Sequence, residues 1–314
     1  MRRERQGGPT LLVDGGDALS RMSALPAEKV SAEKERSKAE LILEQMGKLE
    51  YQALAVGERD LVLGLEPLKK LAREAKLTLL GANLTARDGT RPFDGHKLVT
   101  LEGAKVGIFA VAGPMPEYEV AGFTVSSAEE AAQAQAQALK KEGATFIVAL
   151  LHMGYDQSLK LSANLKDVDF VIQSHDGRVS SIQLTGNTLL TGGGERGRLI
   201  GRAVFRLSGA LPYVDLSEAN NVREQLASLD RNLAEVKERM KNEPKQAASY
   251  NAMVENFRHR REELVARMNA KLPEGRRTVM ADQVAMDDQV SNDARTKRVV
   301  DAYIEKYGST VVQH

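Results

Sequence analysis

Short apolar runs that break off at glycine, aspartate or histidine recur along the first two thirds of this chain, and they constrain its fold more than any other feature. Such runs occupy Thr10 to Val13, Ala53 to Val56, Leu77 to Leu80, Val106 to Val111, Phe146 to Leu151, Phe170 to Ile172, Leu189 to Leu190 and Ala203 to Leu207. Helical stretches at Ala24 to Met46, Gly64 to Ala75 and Ala128 to Lys141 fall between several of them. Strands alternating with helices predict a layered α/β domain from residue 10 to about 212. A run as continuously apolar as Phe146 to Leu151 predicts a strand covered on both faces.

The pattern changes at Leu216. Val222, Leu226, Leu229, Leu233, Val236 and Met240 are spaced 4, 3, 4, 3, 4, one apolar seam on a helix. A break at Asn242-Glu243-Pro244 follows, because proline disfavours helix through its predecessor. The seam resumes at Tyr250, Met253, Phe257, Leu264 and Met268, interrupted by Arg261. Two such helices predict an antiparallel, coiled-coil-like hairpin over 213–272. A linker from Pro273 to Arg277 and a last helix from about Asp287 to Tyr307 complete residues 273–314.

Composition narrows the chemistry. Lys and Arg number 44 against 43 Asp and Glu, a balance that gives no reason to expect nucleic acid or another polyanion as partner. With no cysteine, disulfides, thiolate nucleophiles and Cys-type zinc sites are excluded. No apolar run reaches the 18 or so residues that span a bilayer. The start, MRRERQGGPT, is basic but lacks the apolar stretch and cleavage site of a signal peptide.

The polar residues that could carry chemistry stand where the apolar runs end. LLVDGGD (11–17) ends in Asp14 and Asp17 around two glycines, either a ligand-bearing turn or an ordinary helix cap. ALAVGERDL (53–61) brings Glu58, Arg59 and Asp60 after a strand and a glycine. His152 closes ALLHMGYD (149–156), and His175 follows the strand of VDFVIQSHDG (168–177). One such histidine reads as structural; two placed alike after consecutive core strands, together with Asp17, read as a metal site. Gly192-Gly193-Gly194 lacks the Lys-Ser/Thr of a phosphate loop and reads as a turn. The cluster Arg258-His259-Arg260-Arg261 reads as a solvated helix face, with an anionic partner as the other reading.

In their order these segments resemble the 5′-nucleotidase branch of the calcineurin-like metallophosphoesterases. That family runs Asp-x-His, Gly-Asp, Gly-Asn-His-Glu/Asp, a strand-end His, and Gly-His-x-His. Here Gly16-Asp17 matches the second motif, Gly57-Glu58-Arg59-Asp60 occupies the third, His152 the fourth, and Ser174-His175-Asp176-Gly177 the fifth. Gly81-Ala82-Asn83-Leu84, Glu102 to Ala110 and Gly194 to Arg198 are similar as well, so the resemblance covers roughly residues 9 to 208. It implies a four-layer α/β/β/α sandwich over 1–212 with the helical hairpin appended.

The resemblance also implies an activity, metal-dependent hydrolysis of phosphate esters such as nucleotides, in a family that is usually exported to the bacterial periplasm. Asp17, Glu58, His152 and His175 are the implied metal ligands, with Arg59 receiving phosphate and Asp60 orienting. The departures predict a depleted site, holding one ion of the Zn, Mn or Mg class rather than two, or none, and with it weak turnover at most. No Asp-x-His precedes Asp17, which suggests a fragment or mis-started reading frame. Glu58 and Arg59 stand for the Asn and His of the third motif, and Gly177 for the second His of the fifth. Arg59, permanently cationic, would repel an ion beside it and suits a phosphate. The alternative reading is a non-catalytic binding or docking module whose hairpin contacts a protein partner or a second copy.

Overall fold

The computed structural model describes residues 8–242, 247–268, 274–287 and 290–308. The basic start (1–7), the Glu243-Pro244 break and Pro273 lie outside these described residues. The chain divides into two compact units, one made of residues 1–201 with 283–314 and the other of residues 202–282.

Two sheets form the heart of the first unit. In the first, β1 (Val13–Asp14), β2 (Ala53–Ala55) and β3 (Thr78–Leu80) pair in parallel in that order. The second holds β5 (His96–Leu101), β6 (Ala104–Ala112), β8 (Phe146–His152), β9 (Phe170–Ser174), β10 (Val179–Thr185) and β11 (Thr188–Gly193) in the order β10-β11-β9-β8-β6-β5. Its four inner strands run parallel, and β5 and β10 close the edges in antiparallel pairing. A two-stranded ribbon of β4 (Leu84–Ala86) and β7 (Phe123–Val125) lies alongside.

Helices cover the outer face of each sheet. On the first, α1 (Lys29–Lys48) and α2 (Leu65–Glu74) bury Leu43, Met46, Leu68 and Ala72 against Leu54, Val56 and Leu79. On the second, α4 (Ala128–Lys141) and α5 (Tyr155–Asn164) bury Ala132, Ala136, Leu139 and Leu161 against Phe109, Ile147, Ala149, Leu151 and Val171. The short α3 (Pro116–Val120) buries Tyr118 in the first of these clusters. The result is the expected α/β/β/α sandwich. Helix α4 starts where expected because Ser127 accepts a hydrogen bond from the Glu130 amide, with Glu129 and Glu130 in the first turn and Lys140 and Lys141 in the last.

The apolar strand β8 shows how this layering aims a functional side chain. All seven of its residues are buried, and strand pleating sends them alternately to the two faces. Ile147, Ala149 and Leu151 meet the helices, so Phe146, Val148, Leu150 and His152 point the other way, toward the first sheet. The last helix of this unit, α8 (Ala294–Tyr307), is capped by Asp293 and returns to α1. There the Tyr303 hydroxyl donates to the Lys34 carbonyl at 3.2 Å, and Tyr307 bonds Glu33 at 2.8 Å.

In the second unit β12 (Leu199–Arg206), β14 (Arg276–Ala285) and β13 (Ala210–Asp215) form a sheet in that order, with β13 and β14 parallel. Parallel neighbours need a long crossover. Here it is the hairpin of α6 (Ser217–Asn242) and α7 (Ala247–Met268), whose Val222, Leu226, Leu229 and Leu264 pack together with Phe257 and Val265. The seam of α7 runs through buried Val254 instead of Met253, which is 42% exposed. Arg261, which interrupts the apolar spacing, reaches across to Asp230 at 2.8 Å. Arg258 and His259 pair with Glu255 and Glu263 on their own helix, a solvated charged face. Strand β14 occupies residues that the sequence pattern leaves to a linker, because Arg276, Arg277, Asp282 and Gln283 hide its strand character. Among the described residues no helix is long and apolar enough to cross a membrane.

The shifted seam has a measurable consequence. Leu264→Ala should cost about 2 to 4 kcal/mol in chemical denaturation, the usual range for a buried leucine, whereas Met253→Ala should cost under about 0.5 kcal/mol as an exposed side chain.

Candidate metal centre

Four side chains meet where the carboxyl ends of both sheets face each other. Asp17 follows β1, Glu58 follows β2, His152 ends β8 and His175 follows β9. One ligand atom from each lies within 4.8 Å of all the others. His152 Nε2 stands 2.9 Å from Glu58 Oε2 and 3.6 Å from Asp17 Oδ2. His175 Nδ1 stands 3.5 Å from Glu58 Oε1 and 3.9 Å from Asp17 Oδ2. The imidazole rings meet edge to face, with centroids 5.2 Å apart. Glu58 and His152 are buried, and Asp17 and His175 are partly so.

Two glycines and an internal carboxylate make this approach of backbones possible. A Cβ at Gly57 would lie 2.6 Å from the Asp17 nitrogen, and one at Gly16, where φ is +104°, would lie 2.7 Å from His152 Nδ1. Asp17 and His175 themselves take positive φ, +59° and +97°, conformations that non-glycine residues adopt at some cost. Asp60 is fully buried below them. Its Oδ2 accepts from the amides of Asp17 at 2.8 Å and Gly57 at 2.9 Å, and its Oδ1 from that of Leu19 at 3.1 Å.

Hydrogen bonding orients the histidine that matters most. His152 Nδ1 lies 2.9 Å from the Gly15 carbonyl, which can only accept, so Nδ1 carries a hydrogen and Nε2 faces the carboxylates. Ser174 joins the same contact, with its hydroxyl 3.0 Å from Nδ1 and donating to the Gly15 carbonyl. Burial alone would lower the basicity of His152, but the closeness and charge of Asp17 and Glu58 outweigh it and push the group up to about 10. Burial likewise disfavours ionised Glu58, yet the hydrogen bond and charge of His152, with His175 close by, hold it well below the usual carboxylate range. For Asp60, burial and then the charge of Asp17 push the carboxyl up to about 7 against the opposing amides.

Arg59 stands at the rim. Its amide donates to Asp17 Oδ1 at 3.0 Å, and its Nε lies 3.5 Å from both Asp17 Oδ2 and Glu58 Oε1. Its side chain is 39% exposed and lines an open cleft of about 710 Å³ with Arg21, Met22, Glu58, Met115 and His175.

The ligand set suits a divalent ion. Tetrahedral ligands bonded at about 2.0 to 2.2 Å stand roughly 3.3 to 3.6 Å apart, and the 3.5 and 3.6 Å separations above fall in that range. Asp17 Oδ2 and His175 Nδ1 are buried polar atoms with no hydrogen-bond partner, as expected of atoms that an ion would engage. Among the described residues this is the one group of three or more such side chains close enough to hold an ion.

No family model matches the chain. Over 163 residues, 49% of its length, it is 30% identical to a 5′-nucleotidase of Vibrio cholerae, and it spans only 28% of that protein. In structure it is similar to the calcineurin-like phosphoesterase YfkN of Bacillus subtilis, at 15% identity and a TM-score of 0.61, covering 98% of this chain and 85% of that one. A 5′-nucleotidase precursor from Thermus thermophilus is similar at 22% identity and a TM-score of 0.52, over 66% of this chain and 44% of that one. Half of the chain is thus similar in sequence to 5′-nucleotidases, and its fold is that of a calcineurin-like phosphoesterase.

All six residues singled out in the sequence fall in one neighbourhood. Asp17, Glu58, His152 and His175 form the cluster, Arg59 its rim and Asp60 its buried support. Asp60 does not reach the cleft, since its oxygens are taken up by backbone amides. Sequence reasoning gave no role to Ser174 or to the Gly15 carbonyl. The one signal for them was position, since Ser174 pairs with His152 across β8 and β9.

Two outcomes follow. Asp60→Asn sets its amide nitrogen against the Leu19 amide and should cost about 1 to 3 kcal/mol, read by chemical denaturation, the usual penalty for one buried donor left unmade. Metal-free protein should melt at progressively lower temperature as pH rises from 6 to 10. His152 keeps its proton in the folded state above its ordinary value of 6.5, so its stabilisation is complete below that pH and is lost on rising through about 10. Asp60, raised from 3.8 to about 7, acts in the same direction over its own lower window. A flat melting profile in chelator would contradict the pairing of His152 with the carboxylates.

Proposed function

We propose that this domain binds one divalent ion through Asp17, Glu58, His152 and His175 and hydrolyses phosphate esters in the adjoining cleft, nucleotides being the substrate class. The observation that carries the reading is the pair of orphaned ligand atoms, Asp17 Oδ2 and His175 Nδ1, aimed into one space with Glu58 and His152. Similarity to 5′-nucleotidases over half the chain supports the substrate class. Two histidine nitrogens with two carboxylate oxygens suit zinc or manganese.

A bound ion supplies a Lewis acid for a phosphoryl oxygen and acidifies its water. The protein's own residues do the rest. Gly15 and Ser174 hold the His152 ring so that Nε2 faces the ion. Asp60 fixes the Asp17 and Gly57 amides, and with them the turn that presents Glu58 and Arg59. The forked, permanently charged guanidinium of Arg59 receives the phosphate at the mouth of the cleft. It leaves the flank of Asp17 and Glu58 to do so, because metal and guanidinium compete for the same carboxylates.

Val222, Leu226, Leu229 and Leu264 of the apolar seam are taken up between α6 and α7 themselves, which leaves them unavailable to a docking partner.

Isothermal titration with zinc or manganese tests the reading, together with phosphate release from a nucleotide or a chromogenic ester. One ion per chain is expected, and His175→Ala should weaken its binding at least about tenfold and abolish turnover, as loss of a first ligand or its support commonly does. Arg59→Gln should tighten metal binding while raising KM for the ester. Absence of metal binding by the intact protein would end the proposal.

A further inference from the structure

The two histidines of the cluster stand on different corners of the fold, His152 where β8 turns into α5 and His175 where β9 turns toward β10. Something must hold those corners in register, since a ligand displaced by even about 1 Å is a poor ligand. Resting on the single-ion reading, we infer that Asp176, clasped by Gln173, is the residue that positions His175 against His152.

Asp176 bonds to both corners. Its Oδ2 accepts the amide of Tyr155, the first residue of α5, at 2.8 Å. Its Oδ1 accepts Gln173 Nε2 at 2.8 Å and the Arg178 amide at 3.2 Å. Gln173 is 1% exposed, and its Nε2 also reaches the carbonyls of Met153 at 3.0 Å and Ser174 at 2.7 Å. The residues just after His152 and just before and after His175 therefore share the two hydrogens of one amide group. From the outer side, Arg178 stacks over the Tyr155 ring at 3.8 Å.

This clasp serves purposes that ordinary capping does not. Helix α5 has no side-chain cap of its own, since Gly154 stands at its N-cap, and the Asp176 carboxylate supplies the missing acceptor from another loop. The loop that supplies it is the one in which His175 takes a φ of +97°, a conformation that persists only when its surroundings fix it. The cap of α5 and the strained backbone of His175 are thus held by one side chain. Asp176 touches neither the ion nor the cleft in this scheme and acts through His175.

The test separates positioning from general stability. Asp176→Ala, Asp176→Asn and Leu161→Ala are compared with the wild type by titration with manganese alone and by melting in chelator. Asp176→Ala should weaken metal binding about 10- to 100-fold, the usual effect of removing a group that orients a ligand. Asp176→Asn, which keeps an acceptor for Tyr155 but opposes Gln173 with a donor, should melt closer to the wild type than Asp176→Ala and still bind metal more weakly than the wild type. Leu161→Ala loosens α5 through its buried core side, and should lower the melting temperature without changing the affinity. Wild-type affinity in Asp176→Ala, or an equal loss in Leu161→Ala, overturns the inference. If the wild type binds no ion, the single-ion reading fails and crystals of metal-free Asp176→Ala decide the rest. A His175 ring still 3.5 Å from Glu58 then removes the positioning role, and a displaced ring upholds it.

Discussion

Three backbone amides converging on the carboxylate of Asp60 determine where the first sheet delivers its side chains. The amides come from Asp17 and Leu19 after β1 and from Gly57 after β2, so one buried group fixes two strand ends at once. Backbone donors at the end of a short strand have no ladder partner and would otherwise be left unmade in the interior. Asp60 satisfies them, and the same bonds turn Asp17 into the left-handed region from which its carboxylate faces the histidines. Gly57 completes the arrangement, because any side chain there would occupy the space that the Asp17 backbone takes.

Charge is balanced within the cluster. Asp17 and Glu58 hold two largely buried negative charges at the base of the cleft, a costly arrangement without compensation. Compensation comes from Arg59 at 3.5 Å from both, and from His152, whose proton these carboxylates retain. The fold can therefore form with no ion, and an incoming ion must displace the His152 proton and contend with the guanidinium. A neutral residue in place of Arg59 would leave a more avid and less self-sufficient site.

Much of this was legible in the chain. Strands ending in Asp17, Glu58, His152 and His175 marked the cluster, and the continuous apolar run of β8 implied a strand covered on both faces. What escaped depends on contacts distant in sequence. Strand β14 carries four charged or amide side chains and reads as a strand only beside β13, its parallel partner, with the whole hairpin between them. The seam of α7 shifted by one residue, from Met253 to Val254, because helical spacing offers both and only the facing helix chooses. Nor does any local pattern announce that the Asp176 carboxylate caps α5, since its partner lies 21 residues earlier in another loop.

The first unit is discontinuous, and this bears on how the polypeptide is made. Its chain leaves at residue 201 and resumes at 283. The two strands of polypeptide meet there, where the Met286 amide donates to the Arg198 carbonyl at 2.8 Å. The last helix then returns to α1, where Tyr303 and Lys34 lie 269 residues apart in sequence. A ribosome releases the metal cluster's four residues long before it supplies that helix. The nascent domain thus presents its ligands on an incomplete scaffold, with the outer flank of α1 bare until that helix emerges. Bringing the departing and returning strands side by side shortens the effective loop that α8 has to close, which reduces the entropy lost in that final docking.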